Sequence, residues 1–575
     1  MQNVFVKKTI DGFSFKIWRG EYMFLLAFDV EAPDDDFVGF AIAVKSPNSD
    51  KFYYLRNRIA FDYANKEAVN GFRLFSSLEA PIQKFRWLHF PYDPKDGIYT
   101  YKATMMHMDE NDVLREGKTI ELPIEVQNQT IDGLLDVGFT RNFASSQAYN
   151  DKFGSHKNII PKYSHDGLEF QKPNLIDNYS KKSVYDWLGF KAKEKIDYFL
   201  DNALAKGNEI KIMLYDFNEP DLLFKFKSFG AKLKAIIDDS GNENKGSSKH
   251  INPFSAESKA AKRLEENGCK VKRTHFKGLQ HNKVFIEIEN GKPIKALFGS
   301  TNFSYRGIYI QANNVIVFEN EEVAGLFNQM FEIAWDNPDD FAKNDFAKKW
   351  HEITQNGLPK MEFCFSPHKD SDLSMVKLAD VIKNCKESLF YSIAFLYQTK
   401  SGPVLPALMA VEQNPNILNY GTSDKNGKLT LHKPDGSFGL VSFASLSKFA
   451  PSPFKEEWSG QGGINIHHKF VVADFHTEDA TVFLGSSNLA PSGEEKNGDN
   501  LMMIKDQRIA VSYALEAMRV FDHLQFRVKM KEGDNKENYV IKLRKPPRNP
   551  NEYTWFKSYY KPNSQKLRDR ILFAK

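Results

Sequence analysis

The first 135 positions alternate short apolar runs with polar breaks. Runs over 23–30, 37–44, 97–106 and 120–126 are rich in aromatic and β-branched residues. Turn signals separate them: Ala32-Pro33-Asp34, Pro47-Asn48 and Asp93-Pro94-Lys95-Asp96-Gly97. Short strands at this spacing predict an all-β sandwich-like accessory domain over 1–135. Residues 136–180 are polar and rich in Asn, Lys and Ser, which predicts a connection. From Ser183 the period changes. Ser183 followed by Asp186 is a capping pattern for a helix running to about Ala205. Strands are expected over 209–216, 232–238 and 281–289, with a helix over 255–267 that stops at Gly268. The alternation restarts near Ser371, with helices to Cys385 and over 404–412 and strands over 389–396 and 466–473. Strands alternating with helices mean α/β layers, here in two rounds over 181–345 and 346–530, followed by a C-terminal extension over 531–575.

Composition changes this picture little. A chain of 575 residues is too long for one core, so several domains are expected. The 48 phenylalanines require large cores or an aromatic surface. A net charge of +4 neither demands nor excludes a polyanionic partner. Cys269, Cys364 and Cys385 are odd in number and show no close pairing, which argues against a disulfide framework or zinc knuckle and for a reducing compartment. The apolar run over 22–28 is too short for a signal peptide, and no run reaches the roughly 18 apolar residues a spanning helix needs. The expected location is the cytoplasm.

The polar residues carry an internal repeat. His281-Asn282-Lys283 is followed by Gly299-Ser300-Thr301-Asn302, and His467-His468-Lys469 by Gly485-Ser486-Ser487-Asn488. One offset, 186 residues, relates the two copies at the His, Lys, Gly and Asn alike, and also places Gln311-Ala312-Asn313-Asn314-Val315 opposite Asn497-Gly498-Asp499-Asn500-Leu501. A lone His-x-Lys means little; two copies with the same downstream partner at the same spacing are a poor coincidence. On a strand, i and i+2 share a face, so His281 and Lys283 project together, as do His467 and Lys469. One imidazole can attack phosphorus while a second protonates the leaving oxygen. The lysines supply charge where phosphate oxygens gain it, and Ser300, Asn302, Ser486 and Asn488 offer orienting hydrogen bonds. A monoanionic phosphodiester needs no divalent metal in such a site, and no cofactor is expected.

With His467, Lys469, Asp474, Gly485, Ser486 and Asn488, the second copy resembles the His-x-Lys-(x)4-Asp signature of the phospholipase D superfamily, and the first copy resembles it in part. The resemblance spans about 183–504. It implies two α/β halves with mixed central sheets about a pseudo-twofold axis, and a covalent phosphohistidine. The first copy has Ile288 at the Asp position, flanked by Glu287 and Glu289, either of which is an expected substitute. The resemblance also implies an acidic residue after Gly-Ser-x-Asn that orients the histidine of the opposite half. Asp499 stands there in the second half and Asn313 in the first. A carboxylate raises imidazole basicity and an amide only orients it, so His281 is the expected nucleophile and His467 the general acid.

Bland readings suffice for other features. His468 alternates away from His467 and is expected to pack; His368-Lys369-Asp370 has the wrong spacing and is expected in a loop. No His-Glu-x-x-His, Cys/His set or Gly-x-Ser-x-Gly elbow occurs. The Lys-rich stretch 529–548 is expected to be solvated. For the substrate, Lys259/Lys262/Arg263 and Lys270/Lys272/Arg273 favour nucleic acid, DNA or RNA. The alternative, a phospholipid surface, rests on Phe443, Phe449, Phe454 and Trp458, a candidate interfacial loop before His467. A non-catalytic scaffold is the third reading.

Overall fold

The structure is a computed structural model that describes residues 3–62, 74–127, 129–142, 147–154, 159, 168, 172–178, 180–241, 250–355, 357–425, 429, 433–437, 439–442, 465–534 and 542–575; side chains within 526–534 are not described. The N-terminal runs form two antiparallel sheets. One orders Phe5–Ile10, Phe13–Arg19, Phe24–Val30 and Arg86–His89; the other orders Leu114–Val126, Gly97–Met108, Phe37–Lys45 and Tyr53–Tyr54. Their inward faces share a core of Phe15, Phe28, Phe40, Tyr99 and Tyr101, with the rings of Phe28 and Phe40 stacked 4.3 Å apart. Much of the phenylalanine surplus is thus core rather than surface.

Two mixed sheets follow, and they share one strand order. The first runs Leu135–Phe139, Asn314–Phe318, Lys292–Gly299, Val284–Glu289, Glu209–Leu214, Leu233–Ile237 and Lys270–Arg273. The second runs Lys360–Ser366, Asp499–Lys505, Thr481–Gly485, Lys469–Ala473, Ser388–Ile393, Leu418–Ser423 and Leu440–Ser442, with His351–Ile353 added at one edge. In each, the last three strands are parallel and the rest antiparallel. Phe298 and Phe318 of the first sheet meet Phe363 of the second, so one apolar core spans both halves.

The helix Val184–Lys206 starts where the capping pattern predicts: the Ser183 side chain accepts from Asp186 N, and Gly207 closes it in the left-handed region at φ 68°. One expectation needs correction. The strand Leu135–Phe139 straddles the proposed border of the β domain and the connection, yet it pairs with Asn314–Phe318 as the edge of the first α/β sheet. Five residues are too few to show a period distinct from the preceding β runs. The C-terminal extension returns to the body. Trp555 packs against Phe37 and Phe85 and donates to Phe37 O at 3.0 Å, and Trp18 donates to Phe573 O at 2.7 Å. In the Lys-rich stretch, Lys545 and Arg548 pair with Asp112 at 2.8 and 3.0 Å at the surface and stay partly exposed, and 535–541 lie outside the described residues. Among the described residues, no helix is long and apolar enough to cross a membrane.

Candidate active site

The strands expected to carry the two His-x-Lys pairs begin later than periodicity suggests, at Val284 and Lys469. The residues before them leave their own sheet and pair with the opposite half. Gln280 bridges Gly498 and Ile466 bridges Ala312, both in parallel sense. The His281 backbone donates to Gly498 O at 2.9 Å, and that of His467 to Ala312 O at 3.0 Å. Every one of these contacts has its twin at the 186-residue offset, so the repeat in the sequence is a pseudo-twofold crossing in space.

The crossing ties each imidazole to the other half. His281 Nδ1 lies 2.7 Å from Asp499 Oδ1, and His467 Nδ1 lies 2.9 Å from Asn313 Oδ1 and 3.1 Å from Ser300 O. These partners accept, so each Nδ1 carries the proton and each Nε2 presents a lone pair. Asn313 holds its orientation because its Nδ2 donates to Gly307 O at 2.9 Å. Ser486 Oγ sits 2.7 Å from Asp499 Oδ1, and Ser300 Oγ sits 2.9 Å from Asn313 Oδ1. The glycine before each serine has φ near 150°, and a Cβ there would overlap Asn314 O or Asn500 O. Lys469 Nζ reaches His467 Nε2 at 3.1 Å, and Lys283 donates to His281 O. Asn302 Oδ1 and Asn488 Oδ1, in the loops after the serines, are buried and have no hydrogen-bond partner among the described residues.

The site is buried and crowded with basic groups, which depresses them. Burial, then Lys283, pushes His281 down to about 4 against the pull of Asp499. Burial, then Lys469 and Lys283, takes His467 well below the ordinary imidazole value. Burial pushes Lys283 down to about 7, and burial with Lys283 takes Lys469 well below the usual lysine range. Burial raises the Asp499 carboxyl, but His281, Lys283 and Ser486 outweigh it and hold it below its ordinary value. Both imidazoles are therefore neutral at neutral pH, and the site awaits an anion. A bound anion favours the ammonium form of Lys283, so its effect on the two kinetic profiles differs. kcat/KM, which reports the free enzyme, is expected to fall as pH rises through about 7, while the alkaline limb of kcat lies higher. Coincident limbs in the two profiles would remove Lys283 from this role.

Two expected supporting residues lie elsewhere. Asp474 accepts backbone N–H groups of Lys386, Glu387 and Ser388 at 2.9, 2.8 and 3.0 Å, five residues along the strand from Lys469 and so roughly 16 Å from it. Glu287 accepts from Asn208 Nδ2 at 2.6 Å. Both tie the far end of their strand to the neighbouring one, so they support the sheet and do not touch an imidazole. His468 packs as expected, fully buried with Nε2 2.8 Å from Glu516. His368 lies in a loop as expected, between the strand Lys360–Ser366 and the helix Asp372–Lys383, and it is buried there with Nε2 3.3 Å from Cys364 Sγ. Of the second basic cluster, Lys272 donates to Trp335 O, and Arg273 donates to Asp238 O and His250 O at 2.9 and 2.5 Å. Phe443, Phe449, Phe454 and Trp458 lie outside the described residues.

Sequence reasoning missed a second symmetric pair. Asp238 Oδ1 accepts Gln280 N at 2.7 Å, and Asp424 Oδ1 accepts Ile466 N at 3.0 Å, each steadying the residue before a histidine. They too stand 186 apart, so extending the repeat upstream would have found them. Thr140 and Ser366 do the same for the backbone of Asn313 and Asp499, at 2.9 and 3.1 Å, but stand 226 apart and leave no such signal. Tyr215 stacks edge-on to His281 with centroids 4.8 Å apart, and Phe395 lies 6.4 Å from His467. Among the described residues one group of metal-ligating type also forms: Asp216, His250 and Glu257, one ligand atom from each within 4.8 Å of the others. The sequence reading expected no metal site.

Two His-x-Lys half-sites, exchanging their imidazole partners across a pseudo-twofold between mixed sheets, define a phosphodiesterase-type fold. Residues 190–335 match the family model for the cardiolipin synthase, PLD-like domain. No curated protein matches the chain significantly. Similar solved structures include the phospholipase D family member Nuc from Salmonella typhimurium, 22% identical, covering 24% of this chain and 86% of that one at a TM-score of 0.20. Polyphosphate kinase from Porphyromonas gingivalis is 11% identical over 90% of this chain and 78% of that one, TM-score 0.38. Phosphatidylserine synthase from Haemophilus influenzae is 11% identical over 59% and 84%, TM-score 0.37. At these scores the likenesses add nothing to what the site itself shows.

Proposed function

We propose that this chain hydrolyses phosphodiesters through a covalent phosphohistidine on His281, and that its substrate is a nucleic acid. The unequal support of the two imidazoles carries the reading: a carboxylate behind His281, an amide behind His467. The His281 Nε2 lone pair attacks phosphorus, the P–O bond to the leaving oxygen breaks, and His467, protonated in the complex, delivers its Nε2 proton to that oxygen. Water then gives a proton to His467 and attacks phosphorus, breaking the N–P bond and returning His281. The phosphorylated ring is cationic for the life of the intermediate, and Asp499 offsets that charge throughout. His467 carries a charge only between proton transfers, so an amide that fixes its tautomer suffices. Lys283, Lys469, Asn302 and Asn488 hold the non-bridging oxygens, whose charge also raises the two lysines and His467 from their depressed values.

The nucleic-acid assignment has a narrower support. On the helix Ala256–Glu265 and the strand Lys270–Arg273, Lys262 and Lys270 are exposed and Lys259 half-buried, and a nucleic-acid strand tracking such a surface would bind with a steep salt dependence. The test incubates the protein in EDTA with single-stranded DNA, plasmid DNA, RNA or anionic liposomes. Shortened strands bearing one phosphate terminus, lost in His281→Ala, are expected. Released lipid head groups with intact strands would overturn the substrate class; turnover that requires a divalent ion would overturn the mechanism.

A further inference from the structure

We propose that Asp216, His250 and Glu257 bind one divalent transition-metal ion of the zinc type, directly behind the Tyr215 ring that covers His281. Nothing in the phosphodiesterase reading requires this site, and the site does not depend on that reading. Its three side chains come from separate segments: Asp216 follows the strand Glu209–Leu214, His250 precedes a helix, and Glu257 sits in the first turn of that helix, Ala256–Glu265.

Three observations point to a cation. First, His250 is set as a ligand. Asp238 Oδ2 holds its Nδ1 at 2.6 Å, which fixes the tautomer and turns Nε2 toward Glu257 Oε1, 3.7 Å away. Among the described residues no acceptor lies within hydrogen-bond distance of that Nε2, and the residue is 6% exposed. A carboxylate behind the remote nitrogen is the usual support of a metal-bound imidazole. Second, three acids gather at one imidazole. Asp216 accepts from Ser304 Oγ at 3.1 Å and Glu257 from Phe217 N at 3.0 Å, and the guanidinium of Arg273 donates to carbonyls and Ser258 Oγ rather than to a carboxylate. Glu257 is itself only 4% exposed. Third, the donor set suits the ion. One imidazole nitrogen and two carboxylates match zinc and its neighbours, whereas calcium prefers more oxygens. Ligand atoms within 4.8 Å of one another need to close by roughly an ångström for bonds of about 2.0–2.2 Å. Asp216, the half-buried member, leaves a side open for water as fourth ligand.

The site touches the first half-site at two points. The Tyr215 ring stands 4.9 Å from the His250 ring and 4.8 Å from that of His281. Asp238 holds His250 with one oxygen and the Gln280 backbone with the other. The second half differs: strand pairing places Phe395 where the first has Asp216. The ion is thus confined to the nucleophile's side of the cleft.

The experiment uses the full chain, stripped with EDTA and desalted. Co²⁺ is titrated with the visible d–d absorption as readout, and Zn²⁺ by calorimetry. One equivalent is expected, with the tetrahedral cobalt spectrum, and at least tenfold weaker binding in both His250→Ala and Glu257→Gln. The glutamine variant keeps the side chain's shape, and near-ultraviolet circular dichroism checks that both variants are folded. Binding is expected unchanged in His281→Ala. No uptake by the wild type, equal uptake by folded His250→Ala and Glu257→Gln, or loss of uptake in His281→Ala would each overturn the assignment.

Discussion

His281→Ala is expected to lower kcat at least about 10⁴-fold, because no other group can form the covalent intermediate. His467→Ala is expected to cost about 10²–10⁴-fold, the usual range for one acid–base group. The two losses should differ in kind as well as size. A phosphodiester with a nitrophenolate leaving group needs no proton on departure. With that substrate the first step in His467→Ala recovers most of its rate, but the second step still lacks a base for water. Phosphoenzyme therefore accumulates, and the label maps to His281. In His281→Ala the same substrate gives neither turnover nor label. The measurement is acid-quench trapping with labelled substrate, followed by peptide mapping. A label on His467 in the wild type would reverse the assigned direction.

The second large effect belongs to Asp499. Asp499→Asn keeps the shape of a side chain that accepts from both His281 and Ser486 but removes its charge, and kcat is expected to fall about 10²–10³-fold, or about 2.7–4 kcal/mol of transition-state stabilisation. The fold should survive, since an amide occupies the equivalent place at Asn313. The reciprocal change is more telling. In Asp499→Asn combined with Asn313→Asp the carboxylate stands behind His467 and the amide behind His281, and the trapped phosphohistidine is expected to move to His467. If the label stays on His281, the direction of the reaction is set by how substrate binds and not by these two residues.

Much of the site was legible because it repeats. His281, Lys283, Asn302 and Asn313 each have a twin at one offset, and such constancy over 186 residues survives only where the backbone between is the same fold twice. The exchange of partners was an expectation of the resemblance alone, and the inequality of Asn313 and Asp499 added only a direction to it. The role of Asp474 and Glu287 was not legible. Glu287 shares the parity of His281 and Lys283, and Asp474 stands at the spacing of the resembled signature, but each sits at the far end of its strand, where Asp474 accepts backbone N–H groups and Glu287 the side-chain amide of Asn208. Parity reports the face and not the depth. Leu135–Phe139 was hidden for a related reason: as an edge strand it takes its partner from residues nearly 180 positions away.

What the sequence by itself determined is the chemistry and its doubling: two imidazoles, two lysines, and unequal partners for each. These are local patterns, read at spacings that a strand or a turn imposes. What only the tertiary structure decided is how the groups are held. Gln280 and Ile466 cross between sheets, Asp238 and Asp424 steady the crossing, and the C-terminal segment packs back on the β domain. The gathering of Asp216, His250 and Glu257 beside Tyr215 is of the same kind. Each depends on chain segments that are remote in sequence and adjacent only after the sheets have formed, so no period or spacing along the chain records them.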